Sequence, residues 1–95
     1  MGELIFEGEY LNGERNGKGK QYWNKILKFE GEFIDGKRNG KGKEYDYNNK
    51  VIFEGEYFNG KRWSGKSNKY LNNGLIKKDE YLYGKMLNKK KIIKY

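Results

Sequence analysis

A chain of 95 residues suits one domain with a modest core, and its 21 Lys and Arg against 13 Asp and Glu give a net charge of +8. It contains no Cys and no His, which excludes a disulfide framework, the common zinc and copper sites, and hydrolytic arrangements built on His. Hydrophobic residues are only 35% of the chain, yet 17% of all residues are aromatic, and disordered chains are poor in aromatics. The chain is expected to fold, with rings in place of an aliphatic core.

The N-terminal stretch MGELIFEGEY is acidic and too short in apolar residues for a signal peptide. Gly2 follows Met1, but Phe6 stands where a myristoylation site wants Ser or Thr. No stretch approaches membrane-spanning length. A soluble cytoplasmic protein, peripheral at most to a membrane or a cytoskeletal structure, is the expectation.

The first predicted element is a strand. Phe6-Glu7-Gly8-Glu9-Tyr10 alternates with period two, and Asn12-Gly13 follows as a turn signal. Gly17-Lys18-Gly19-Lys20 then leads through Gln21 to Tyr22 in a second alternating segment. Trp23–Lys28 reads as a polar connection to the next unit. The second unit repeats this order: FEGEFIDGKRNGKGKEY runs from Phe29 to Tyr45. The third, FEGEYFNGKRWSGKSNKY, runs from Phe53 to Tyr70. The starts lie 23 and then 24 residues apart. A worn fourth copy follows, with Tyr81 and Gly84 lying 24 residues beyond Tyr57 and Gly60, while Lys77 and Asp79 take the Phe and Gly positions.

Each copy reads as a β-hairpin, and no window has helical spacing of apolar residues. The expected fold is all-β: an open single-layer antiparallel meander of stacked hairpin repeats, about three and a half of them. The repeats fall near 6–28, 29–52 and 53–76, with a degenerate C-terminal cap at 77–95, all within one domain spanning 1–95. Seven or eight strands at about 4.8 Å each give a sheet on the order of 35 Å long. The alternation places Phe6, Tyr10, Phe29, Phe33, Phe53 and Tyr57 on one face. Glu7, Glu9, Glu30, Glu32, Glu54 and Glu56 lie on the other, beside Lys18, Lys20, Lys41 and Lys43. Gly19 and Gly42 are expected next to the aromatic strands, with rings closing over their bare backbone. The side taken by Tyr22 and Tyr45 depends on register.

The pattern of an aromatic, Gly and an aromatic at alternating positions, then Asn-Gly-Lys, then Gly-x-Gly and a further aromatic, at a period near 23, resembles the MORN (membrane occupation and recognition nexus) repeat. The resemblance covers Phe6 to Tyr70, with a degenerate extension to about Lys85. The third copy departs from it, with Trp63-Ser64 in place of one Asn and Ser67 in place of the second Gly. The resemblance implies an open twisted sheet with an aromatic-lined groove, acting as a scaffold or protein-docking platform. Lipid binding and toxin neutralisation are alternatives that it also implies.

Two strings invite catalytic readings. Gly60–Ser67 spells GKRWSGKS, the pattern of a phosphate-cradling loop, but that loop needs a strand before it and a helix N-terminus after it. Here NKYLNNG follows, another strand and turn, so no nucleotide is expected. Glu7 and Glu9 could be taken for an acid and base pair. The pair recurs in every good copy beside lysines, as a charge ladder would. No cofactor, metal or catalytic residue is assigned.

The positive charge is concentrated at the end. Residues 77–95 hold seven Lys and two acids, whereas residues 1–76 hold 14 Lys and Arg and 11 acids. Lys77, Lys78, Lys89, Lys90, Lys91 and Lys94 are therefore a candidate patch for an anionic membrane surface. The competing reading is an edge strand guarded by lysines. Nucleic acid is disfavoured because the repeats present as much Glu as Lys. The aromatic set is the candidate interaction face for a protein partner or for a second copy of the chain. A homodimer through the strand near residues 4–11, or through the adjoining aromatic face, is expected.

Overall fold

Turns set where the strands begin and end. In the computed structural model, which describes residues 2–87 and the backbone of 91–94, Asn12-Gly13, Asp35-Gly36 and Asn59-Gly60 have φ of 51° and 82°, 50° and 82°, and 53° and 90°. Two successive positive φ values make a type I′ turn, whose twist matches that of the strands it joins. The turns separate β1 (Leu4–Leu11) from β2 (Glu14–Trp23), β3 (Ile26–Ile34) from β4 (Lys37–Tyr45), and β5 (Val51–Phe58) from β6 (Lys61–Tyr70). Then come β7 (Leu75–Leu82), β8 (Lys85–Met86) and β9 (Lys91–Lys94).

Each strand from β1 to β8 pairs antiparallel with the next, and β9 pairs with β7 beyond the end of β8. The result is one open all-β meander measuring 45 × 32 × 18 Å, with no helix among the described residues. The expected meander is present. The last row differs in being shared by two short strands along one edge of β7. The connection expected at Trp23–Lys28 shrinks to two residues. Asn24 and Lys25 take φ of 52° and 67°, and Trp23 already pairs with Ile26.

A row of glycines crosses the sheet: Gly8, Gly19, Gly31, Gly42, Gly55 and Gly65 pair in succession. A Cβ on Gly19 would fall on the Phe6 ring, and one on Gly42 would lie 2.6 Å from Phe29 Cζ and 3.0 Å from Tyr57 Cε1. That is the expected closing of rings over bare backbone. At Gly31 the limiting neighbours are different. A Cβ there would meet the Lys41 carbonyl oxygen at 2.5 Å and Gly42 Cα at 2.7 Å before the Phe29 ring at 2.8 Å.

The rings form a zigzag along the array. Tyr10, Phe6, Phe33, Phe29, Tyr57, Phe53 and Tyr81 contact one another in that order, with centroids 5.0–5.5 Å apart and planes at 80–88°. Edge-to-face packing of this kind sets the positive rim of one ring against the negative face of the next. Phe29, Phe33, Phe53 and Tyr57 are buried, whereas Phe6 and Tyr81, which flank them, are half-buried and Tyr10, at one end, is exposed. Consecutive hairpins are also tied at their turns: Gly36 N–H donates to the Arg15 carbonyl at 2.9 Å, and Gly60 N–H to the Arg38 carbonyl at 2.8 Å.

The third hairpin is out of phase with the others. Between the pairs Gly31–Gly42 and Phe33–Arg38, Glu32 faces three residues of β4, namely Asn39, Gly40 and Lys41. Between Gly55–Gly65 and Tyr57–Arg62, Glu56 faces only Trp63 and Ser64. Toward β5, then, Gly65 takes the place of Gly42. Toward β7 it pairs with Tyr81 as Gly40 pairs with Tyr57. The expected replacement of the second Gly by Ser67 therefore holds on the β7 side alone.

Candidate functional site

The ring face is filled rather than open. Arg15, Arg38 and Arg62, each placed two residues after the Gly of its turn, lay their guanidinium groups over Phe6, Phe29 and Phe53 at 5.0, 4.1 and 4.7 Å from the centroids. A guanidinium stacked on a ring keeps its edge free for hydrogen bonds. Arg38 Nε uses it to donate to Gln21 Oε1 at 2.9 Å. Arg62 donates to both oxygens of Glu44 at 2.9 Å and to the Tyr81 hydroxyl at 3.3 Å. Tyr57 Oη completes the group by donating to Glu44 Oε1 at 2.6 Å.

Gln21 and Glu44 hold the same place in successive repeats, and the ring beside each matches it. Phe33 has no hydroxyl to give Gln21, whereas Tyr57 gives one to Glu44. Burial pushes the Glu44 carboxyl up, but the bonds from Arg62 and Tyr57 and the charges of Arg62 and Arg38 outweigh it and hold the group below its ordinary range. Burial, with Glu44 alongside, drives the Tyr57 hydroxyl up. The bond to Glu44 likewise holds the Arg62 guanidinium higher still.

The expected aromatic groove is therefore a packed core. Of its six residues, Phe29, Phe33, Phe53 and Tyr57 are 0–3% exposed and could meet a partner only after displacing arginines. Phe6 and Tyr10 remain accessible at one end, Tyr10 at 59%. The sequence marks the positions of the residues that cover the face, though not their role. An Arg follows the first three hairpin turns, in GER, GKR and GKR, and a Gln or Glu precedes Tyr22 and Tyr45.

The open concavity lies on the opposite face. It is a trough of about 930 Å³ over the glycine row, walled by Glu7, Lys20, Glu30, Lys43 and Glu54 on one side and by Lys18, Glu32, Lys41 and Glu56 on the other. Glutamate and lysine alternate from strand to strand along both walls. The carboxylates have further tasks. Glu9 and Glu32 accept the N–H groups of Lys18 and Lys41 at 2.6 and 2.7 Å, capping the bulges where β2 and β4 carry extra residues. Glu7 and Glu30 accept the hydroxyls of Tyr22 and Tyr45, so both tyrosines lie on the charged face. The Tyr45 hydroxyl is pushed up to about 12 by burial and by its bond to Glu30.

The hairpin tips carry a third feature, which the sequence reading missed. Leu11, Ile34, Phe58 and Leu82 each stand directly before a turn pair, and they are 58, 51, 56 and 44% exposed. Their cross-strand partners are Glu14, Lys37, Lys61 and Lys85. Hairpins two strands apart set these side chains about 10 Å from one another. Trp63 adds to the row, its ring 5.1 Å from Phe58 and 6.0 Å from the exposed Tyr83. The signal was present as an apolar residue before NG, DG, NG and YG.

The other sequence candidates are placed as follows. Gly60–Ser67 is one turn residue followed by strand β6, paired with β5 on one side and with β7 on the other. Its backbone runs in a ladder and does not wrap a phosphate. In the lysine patch, Lys77 Nζ lies 3.8 Å from Asp79 and Lys78 Nζ donates to Asn68 Oδ1 at 2.9 Å, so both belong to local networks. Lys89 and Lys90 lie outside the described residues, and Lys91 and Lys94 enter only through the backbone of β9. Among the described residues no group of three or more carboxylates is placed to hold a metal ion, and no helix is long and apolar enough to cross a membrane.

The family model of the MORN repeat matches residues 6–25, 29–51 and 53–63. A search of the curated proteins gives no match.

Proposed function

Since the chain belongs to the MORN repeat family, whose repeats are generally modules of membrane or protein interaction, we propose that it is a non-catalytic protein-docking module that binds along its hairpin tips. The observation that carries this reading is the row of Leu11, Ile34, Phe58 and Leu82. A large apolar side chain recurs there at one position in every hairpin and is about half exposed. Exposed apolar groups aligned in this way mark interaction surfaces more often than scattered ones do. The rigid ladder behind them keeps their spacing fixed, which lowers the ordering cost of binding.

The lysines opposite three of these residues favour a second reading, an anionic membrane surface, in which each basic group near the surface contributes about 1 kcal/mol. One experiment separates the two. A photo-crosslinking residue at Ile34 should give a discrete protein adduct in cells expressing the chain, and one at the exposed Tyr47 should not. Co-sedimentation with phosphatidylserine vesicles that is lost when Lys37, Lys61 and Lys85 become Glu, without a protein adduct at Ile34, would replace the first reading with the second.

A further inference from the structure

We propose that the outer edge of β1 is a strand-addition site for an extended Gly-Lys-Gly-Lys-Glu (or Gln) segment of another polypeptide, read by Glu7, Glu9 and Arg15. This edge is distinct from the row of hairpin tips. Among the described residues nothing pairs with it.

Three features of β1 are each half of an arrangement completed elsewhere in the sheet. The first is charge. Glu30 stands between Lys20 and Lys43, and Glu54 between Lys43 and Lys66. Glu7 faces Lys20 on one side only. The second is the core: the ring zigzag ends in Phe6 and Tyr10, and Tyr10 is 59% exposed where its counterparts Phe33 and Tyr57 are 2 and 3% exposed. The third is Arg15. Arg38 and Arg62 stack on a ring and also bind the Gln21 or Glu44 of the preceding hairpin. Arg15 stacks on Phe6, and among the described residues no side-chain acceptor meets its guanidinium.

The register within the sheet names what would complete all three. On β3, Phe33, Glu32, Gly31, Glu30 and Phe29 face Gly17, Lys18, Gly19, Lys20 and Gln21. Carried over to Tyr10, Glu9, Gly8, Glu7 and Phe6, the same pairing calls for Gly, Lys, Gly, Lys and then Gln or Glu. The last residue falls beside Phe6, where it would accept from Arg15. Main-chain pairing would supply affinity and the alternating side chains specificity, as in other strand additions.

A second copy of this chain fits poorly. Antiparallel pairing of two β1 strands about Gly8 matches Phe6 with Tyr10 but sets Glu7 against Glu9 twice, and like charges directly opposite are destabilising. The chain's own Gly-Lys strands, β2 and β4, are already paired on both sides. The expected homodimer through β1 is thus disfavoured by its own glutamates.

The test uses the full chain and a labelled, capped peptide with the sequence of residues 38–45, RNGKGKEY. Fluorescence anisotropy should show saturable binding that weakens as salt rises. Glu7→Lys should weaken binding about tenfold, and a peptide carrying Glu at the position of Lys43 should restore it. Replacing the peptide's Glu by Ala should weaken binding to the native chain but not to an Arg15→Ala chain. Absence of saturable binding at millimolar peptide would overturn the proposal. So would affinity indifferent to Glu7→Lys, or a homodimer by light scattering that dissociates when the β1 edge is altered.

Discussion

Arg62 grips Glu44 through two hydrogen bonds of 2.9 Å, one from Nε and one from Nη2, on a carboxylate that is 18% exposed. A two-pronged bond of this kind fixes geometry as well as charge. It joins β6 to β4 across the intervening β5, so it ties the third hairpin to the second.

Glu44→Gln should therefore destabilise the fold at neutral pH by about 1–3 kcal/mol, since Arg62 and Tyr57 lose their charged acceptor. The dependence on pH follows from the direction of the shift. A carboxyl held below its ordinary value of 4.5 stabilises the fold above that pH, and the contribution fades as the pH falls through the lowered value. Thermal melts should show the widest gap between wild type and Glu44→Gln at pH 7, with the gap closing below about pH 4. A gap that widens in acid would contradict the assignment.

Two glycines should respond differently to a methyl group. Gly42→Ala pushes on the rings of Phe29 and Tyr57, and Gly31→Ala pushes first on the backbone of β4. Each should cost about 1–3 kcal/mol. Phe29→Leu should relieve part of the cost at Gly42 and little of it at Gly31. Urea unfolding of the two double-mutant cycles measures this, and equal coupling in both would show that the rings are not what limits Gly42.

Tyr83 occupies the first turn position of the last hairpin with φ of 52°, where the other three hairpins have Asn or Asp. A bulky residue in the left-handed region costs about 1–2 kcal/mol, whereas Asn tolerates it. Tyr83→Asn should raise the melting temperature even though it gives up the contact with Trp63. A lower melting temperature would mean that the two rings stabilise the fold by more than the strain costs.

Isothermal titration of the chain with Mg-ATP should show no saturable heat. Lys66 pairs in register with Glu54 and Glu80 on the neighbouring strands, and among the described residues no helix N-terminus stands beyond Ser67 to receive a phosphate. Micromolar binding abolished by Lys66→Ala would refute this.

What could be read from the sequence divides along physical lines. Asn12-Gly13 and its relatives announce hairpins because few other pairs accept two positive φ values, and Phe-x-Gly-x-Phe announces alternation, so fold class and faces were legible. The arginine layer was not, because Arg15, Arg38 and Arg62 look like solvated turn residues until the stacking of hairpins brings a ring beneath each. The aromatic groove failed for the same reason: a face that is open in one hairpin is closed by its neighbours' side chains. The phase of β6 was beyond reach, since Gly65 answers to different glycines on its two sides and a linear alignment must choose one.

The zigzag of rings makes a core wired in series. Among the described residues, Tyr10, Phe6, Phe33, Phe29, Tyr57, Phe53 and Tyr81 follow one another without branching in the ring contacts, where a globular core would offer each ring several parallel routes to the rest. A break at Phe29 would sever the string, leaving the flanking hairpins coupled by backbone pairing and by the Arg38–Gln21 and Arg62–Glu44 hydrogen bonds. Arrays joined only through nearest neighbours lose cooperativity at such a break. Phe29→Ala should accordingly split one melting transition into two, whereas truncation at Tyr10, the last link, should merely shorten the string.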